Sequence, residues 1–220
     1  MSLASANTFF LAAALVSLPA SAFGCEGLAP TVLVLSIDEK PITTQQDLSL
    51  ATLRALYARV GHHPVHPVLG FYVQTTAVMS SQTRIVTPEA PSTGRQASCP
   101  YLEISSELVA KDRRIEIASD LSQTPCLLRA ATAHYEHHAA AASRALRRYA
   151  IDLSTKLGPE VDRFIGDRAD QDRTIDDKLQ SFVDDLLAQS LSSFPAFLVT
   201  AQKEVDSPEE VQSLGPCQET

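Results

Sequence analysis

TPCLLRAATAHYEHHAAAASRALRRYAIDLSTKLGP, residues 124–159, is the stretch that decides the fold class. Thr124-Pro125 is a helix start: a capping hydroxyl is followed by Pro at the first helical position, where its missing N–H costs nothing. From Cys126 to Leu157 there is neither Gly nor Pro, and Ala dominates, so the run predicts one long helix. Gly158-Pro159 is its stop signal. Residues 160–191 then place apolar side chains at 161, 165, 175, 179, 182, 183, 186 and 187, again with helical spacing, around a polar centre from Gly166 to Asp172. The two runs predict a long helical hairpin.

Upstream the texture is that of strands and short loops. TVLVLSI (31–37) predicts a buried strand, and LSLATLRALYARV (48–60) an amphipathic helix stopped by Gly61. HHPVHP (62–67) is a rigid loop. LGFYVQTTAVM (69–79) is rich in strand formers, with TRIV (83–86) as its return partner, and 87–98 have loop composition. YLEISSELV (101–109) alternates apolar and polar residues. The turn AKDR then leads to RIEIA (114–118), so these two runs predict a hairpin. The expected class is α+β: a small, mostly antiparallel sheet followed by the helical hairpin, as a single domain over 23–205 with a polar tail at 206–220.

Residues 1–22 read as a cleavable signal peptide. They hold no charged side chain, an apolar run from Phe9 to Leu18 is broken by Pro19, and Ala20-Ser21-Ala22 supplies small residues before a cleavage point. The run is about half the roughly twenty residues a membrane span requires, and no later segment is long and apolar enough. The expectation is a periplasmic or secreted protein. A net charge of −8 argues against nucleic acid or an anionic membrane surface as partner. SRALRR (143–148) reads as a solvated helix face. Four cysteines (Cys25, Cys99, Cys126, Cys217) in an exported chain suggest two disulfides, and none has the close C-x-x-C spacing of a zinc site. If 101–109 and 114–118 form a hairpin, Cys99 falls near Cys126, which leaves Cys25 for Cys217.

The six histidines form two clusters, His62, His63 and His66, then His134, His137 and His138. His134 and His138 are four apart in the long helix, so both imidazoles project from one face, about 6 Å apart. One helix presents two nitrogens to one zinc ion in this way. His137 lies about 60° to one side and can join them. The plain alternative is a polar helix face with no ligand.

The stretch RRIEIASDLSQTPCLLRAATAHYEHHAAAASRALRRY resembles a family of bacterial secreted proteins of unknown function that are predicted to be zinc-dependent proteases. In that family's pattern a strand ending Ile-Ala-Ser-acid leads to a Cys and, seven residues later, to the first His of H-E-x-x-H. Here Ile117-Ala118-Ser119-Asp120, Cys126 and His134 stand in those places, with Leu146, Tyr149 and VLGF (68–71) as further matches. The resemblance implies a zincin-like fold and a zinc cofactor. The chain departs from it at Tyr135, where the family has the Glu that activates the metal-bound water. Glu136 points about 200° away from His134 and cannot replace it. No catalytic residue is therefore assigned.

A third ligand must come from outside the helix. Asp152 shares the face but lies about 21 Å along the axis. If the chain turns back at Gly158, Asp176 comes level with His138; the rival donors are His62, His63 and His66. Three readings follow: a metal-binding zincin-like protein without ordinary peptidase chemistry, a metallohydrolase with a base from elsewhere, or a non-catalytic envelope protein whose helical hairpin binds a protein or peptide partner.

Overall fold

The computed structural model describes residues 9–11, 29–59, 68–86, 101–166, 175–207 and 217. The elements in chain order are β1 (Phe9–Leu11), β2 (Ala29–Glu39), β3 (Thr43–Gln45), α1 (Leu50–Arg59), β4 (Gly70–Val86), β5 (Tyr101–Ile117), a 3₁₀ turn (Ser119–Gln123), α2 (Pro125–Gly166), α3 (Ile175–Leu191) and α4 (Phe194–Val205). The class is α+β. Its residues group into two compact units, one of Met1–Asp38, Ala77–Val109 and Tyr149–Ser193, the other of Glu39–Thr76, Ala110–Arg148 and Phe194–Thr220.

In the first unit β1 pairs antiparallel with β2, Phe9 opposite Ile37 and Leu11 opposite Leu35. Thr31, Leu35 and Ile37 of β2 are buried, as the period of a half-covered strand requires. The later turns of α2 bury Tyr149, Leu153, Leu157 and Val161, and α3 buries Leu179, Val183 and Leu187, all at spacings of four. Phe164 stacks on Phe182 with ring centroids 4.1 Å apart. The Asp162 carboxylate accepts from the Thr31 N–H (3.2 Å) and hydroxyl (2.6 Å).

These contacts explain a departure from expectation. α2 does not stop at Gly158-Pro159 but runs through them to Gly166. An interior Pro costs a helix about 3 kcal/mol. Fully burying Leu157 and Val161, on either side of it, returns roughly 1.5–3 kcal/mol each. The tertiary packing outweighs the local stop signal.

The second unit holds β3, α1, the start of β4, the end of β5, the first turns of α2, and α4. Leu53, Val68, Leu69, Ile115, Ile117, Leu121, Ala131 and Tyr135 form its core. The buried Glu116 carboxylate accepts from the Asp47 and Leu48 N–H groups, at 2.8 and 3.2 Å. Leu128 N–H bonds the Thr124 carbonyl at 2.9 Å, so α2 begins where the Thr-Pro signal places it. Buried Arg113 is satisfied by Glu39 (3.1 Å), the Tyr72 hydroxyl (3.1 Å) and Ser143 (2.8 Å). Arg147, from the basic run, pairs with Glu39.

The strands differ most from the sequence reading. The expected hairpin of 101–109 and 114–118 is one strand, β5, and 69–79 with 83–86 is likewise one strand, β4. The AKDR turn signal is absorbed within the strand: Asp112 takes φ of 53°, a left-handed conformation that Asp tolerates better than most side chains. Leu102, Ile104, Ser106 and Leu108 are buried in alternation, Val109 and Ala110 continue the buried run, and past exposed Asp112 the residues Arg113, Ile115, Glu116 and Ile117 are buried.

Nor is the sheet mostly antiparallel; it is mainly parallel. β3 runs parallel to β5, Thr43 opposite Arg114 and Gln45 opposite Glu116. In each unit separately, β2 meets β5 at a constant offset, through Ser36 with the Ser106 carbonyl and the Lys40 N–H with the Ala110 carbonyl. Without a hairpin, the pairing argued for the cysteines also fails. Cys126 is bonded to Cys217, with α-carbons 5.5 Å apart. Cys25 and Cys99 lie outside the described residues.

Candidate metal centre

All of the candidate site lies in the second unit. Along α2, the inward stripe of Ala131, His134, Tyr135, His138 and Ala139 is buried, whereas Glu136 and His137 are exposed. His137 therefore stands apart from the other two histidines, and Glu136 faces solvent as the helical wheel requires.

His134 and His138 turn their Nε2 atoms toward one another, 3.1 Å apart. Asp206, the residue that follows α4, brings its Oδ1 to 3.2 Å from the His138 Nε2 and 3.8 Å from the His134 Nε2. The three ligand atoms make a small triangle that can hold a metal ion. Both histidines are buried, while the Asp206 side chain is 52% exposed, so the triangle opens on the carboxylate side.

Gln202 fixes the orientation of one ligand. Its side-chain oxygen bonds the His138 Nδ1, and its amide N–H donates to the His138 backbone carbonyl at 3.2 Å. A proton held on Nδ1 leaves the Nε2 lone pair directed into the triangle, which is the tautomer a metal requires. Asp206 follows Gln202 by one turn, and its N–H bonds the Gln202 carbonyl at 3.2 Å. One short stretch of chain thus supplies both a ligand and the partner of another.

Tyr135 directly follows His134, where an H-E-x-x-H helix would carry its general base, and its setting excludes that role. The side chain is 7% exposed and belongs to the apolar core. Its hydroxyl oxygen accepts the Gly70 N–H at 3.0 Å. Burial first, and then the charge of nearby groups including Asp206, hold its pKa far above the ordinary 10.0. Its ring stacks on His138, centroids 5.5 Å apart, and meets His134 edge-on at 5.1 Å. Tyr135 is a wall for the two imidazoles. Tyr57 of α1, half-buried, donates toward the Gly70 carbonyl at 3.4 Å; burial and Asp206 raise its pKa too, so it remains a neutral hydroxyl.

Asp176 lies in the first turn of α3, in the other unit, and its side chain falls outside the described residues, as do His62, His63 and His66. The acid that joins the histidines is Asp206, the first residue of the polar segment 206–220. A signal for it was present. Phe194, Phe197, Leu198, Ala201 and Val205 have helical spacing after a run of serines, which marks α4 and puts Gln202 and Asp206 at its end. Among the described residues, no helix is long and apolar enough to cross a membrane. No protein-family model matches the chain, and no curated protein or solved structure matches it either.

Proposed function

We propose that this protein is an exported zinc-binding protein of zincin-like descent, which holds the ion through His134, His138 and Asp206 and has lost ordinary peptidase chemistry. The triangle of ligand atoms carries the reading. With zinc–ligand bonds of about 2.0–2.2 Å at tetrahedral angles, neighbouring ligand atoms lie about 3.3–3.6 Å apart. The separations of 3.1, 3.2 and 3.8 Å bracket that value. Two imidazoles and one carboxylate would hold a zinc ion with a net charge of about +1, and the exposed Asp206 side is where a further ligand could reach it.

Peptide hydrolysis at such a centre needs a base beside the metal-bound water. Tyr135 is buried and engaged with Gly70, and Glu136 points outward, so neither supplies it. The reading is supported further by the match of Ile117-Ala118-Ser119-Asp120, Cys126 and His134 to the zinc-protease pattern. Removal of residues 1–22 on export would take β1 away and leave β2 as the open edge.

The test is a calorimetric titration of the purified chain with zinc. One equivalent is expected; His134→Ala or His138→Ala should abolish uptake, and Glu136→Ala should leave it unchanged. Casein or peptide cleavage should stay at background with and without chelator. No stoichiometric uptake by the unaltered chain would overturn the proposal in favour of a non-catalytic partner-binding protein.

A further inference from the structure

The second unit holds a hydroxyl that plays no part in the ligand triangle. Tyr57 lies in the last turn of α1 and is half-buried. Its O–H donates toward the Gly70 carbonyl across 3.4 Å, long beside the usual span of about 2.5–3.0 Å for such a bond. The same Gly70 gives its N–H to the Tyr135 hydroxyl at 3.0 Å, and the Tyr135 ring lies against both imidazoles. One residue of backbone therefore stands between the Tyr57 hydroxyl and the wall of the histidine pair. After burial, the charge of Asp206 raises the pKa of Tyr57, so the phenol lies within the field of that carboxylate and keeps its proton at neutral pH.

We propose that the metal-loaded centre receives a carboxylate from the Asp206 side, with one oxygen on the ion and the other accepting the Tyr57 hydroxyl, a proposal that rests on the zinc-binding reading above. A net charge of about +1 on the ion and its three ligands is cancelled by one monoanion, and carboxylate oxygen is a ligand zinc accepts. The second oxygen of such a ligand needs a donor once it leaves water. Tyr57 is a donor with a long present bond. Rotation about its C–O bond carries the proton from the Gly70 carbonyl to an incoming oxygen without moving the ring. A centre with no base beside the metal holds this ligand without changing it. The carboxylate belongs to a small organic acid or to the C-terminus of a peptide, which share this chemistry.

The experiment titrates the full, zinc-loaded chain with acetate, with N-acetyl-alanyl-alanine and with thiocyanate, an anion of equal charge that has no oxygen to offer Tyr57. Acetate should bind the loaded chain and not the zinc-free one. Tyr57→Phe should weaken acetate and the peptide about tenfold, the loss of one hydrogen bond to a charged group. Thiocyanate affinity and zinc uptake should change less than about twofold. Acetate binding that is independent of zinc, unchanged in Tyr57→Phe, or weakened there no more than thiocyanate overturns the proposal. Given the Tyr57 dependence, tighter binding of the peptide than of acetate assigns the carboxylate to a peptide C-terminus, and equal binding assigns it to a small acid. Should Tyr57→Phe fail to fold, the tyrosine absorption of the unaltered, zinc-loaded chain decides: acetate should shift it, and no shift overturns the proposal. Failure of the chain to take up zinc at all would instead remove the metal reading itself.

Discussion

Gly70 and Tyr135 are in contact at two points: the Gly70 N–H donates to the Tyr135 hydroxyl oxygen at 3.0 Å, and a Cβ on Gly70 would lie 2.8 Å from the Tyr135 ring and 2.2 Å from the Glu116 carbonyl oxygen. There is no room for a methyl group. Gly70→Ala should cost about 1–3 kcal/mol from overpacking. Because the displaced ring stacks on His138, zinc affinity should fall as well. Thermal unfolding and zinc titration of the variant check both; an unchanged affinity would show that the ring does not position the ligand.

Tyr135→Glu restores the letter of H-E-x-x-H without its chemistry. The new carboxyl would enter a core of Leu53, Val68, Leu69 and Ile117 and leave the Gly70 N–H to find it as a partner. Burial would keep that carboxyl protonated and poor as a base at neutral pH. The variant should lose stability and gain no proteolysis, measured by urea unfolding and a casein assay. Measurable cleavage would mean that the Glu side chain reaches the open side of the triangle. Tyr135→Phe, which removes the acceptor of the Gly70 N–H, should cost about 1–3 kcal/mol.

Gln202→Leu removes the acceptor that holds the His138 Nδ1 proton while keeping similar bulk. Loss of such an outer partner usually weakens metal binding 10–100-fold. The same fall is expected here, read by competition with a chelating dye. A change below twofold would remove Gln202 from the site.

Alkaline pH should unfold the protein early. Tyr57, Tyr72, Tyr135 and Tyr149 all have pKa values raised above 10.0, burial being the largest cause for each. A group that holds its proton more tightly when folded contributes stability below its unfolded pKa and loses it as pH climbs beyond. Urea midpoints should thus be level from about pH 8 to 9.5 and drop above about 10. Tyr135→Phe should flatten part of that drop.

Gly158→Ala should stabilise the chain by about 0.5–1 kcal/mol. The position is inside α2, and nothing lies within 4 Å of the added methyl carbon. Thermal melting reads it, and a destabilised variant would mean that the helix needs glycine to pass Pro159.

What the sequence made legible follows from how local each signal is. The start of α2, the helix over 48–60 and the buried His134–His138 face depend on neighbours within a turn or two, and these were readable. The continuation through Gly158-Pro159 depends on what Leu157 and Val161 pack against, which no local rule contains. The same holds for β5, where a turn-like AKDR is overridden by pairing with other strands. Asp206 was hidden for a different reason. It lies 68 residues beyond His138, so only knowledge of where α4 packs could join them. The Cys126–Cys217 bond joins residues 91 apart, and no local signal marks a pairing at that separation.

The left-handed residue Asp112 parts β5 into two phrases. Tyr101–Leu108 alternate with their buried side chains on even numbers, whereas Leu108–Ala110 and Ile115–Ile117 are buried without a break. Point substitutions leave the register of residues 113–117 intact, but removal of Asp112 alone would shift it by one residue. Within the second unit alone, buried Arg113, Ile115 and Ile117 would lose their places, the two isoleucines against Val68, Leu69 and Leu121. Single-residue insertions and deletions at this point should be tolerated far less well than substitutions, although Asp112 itself is exposed.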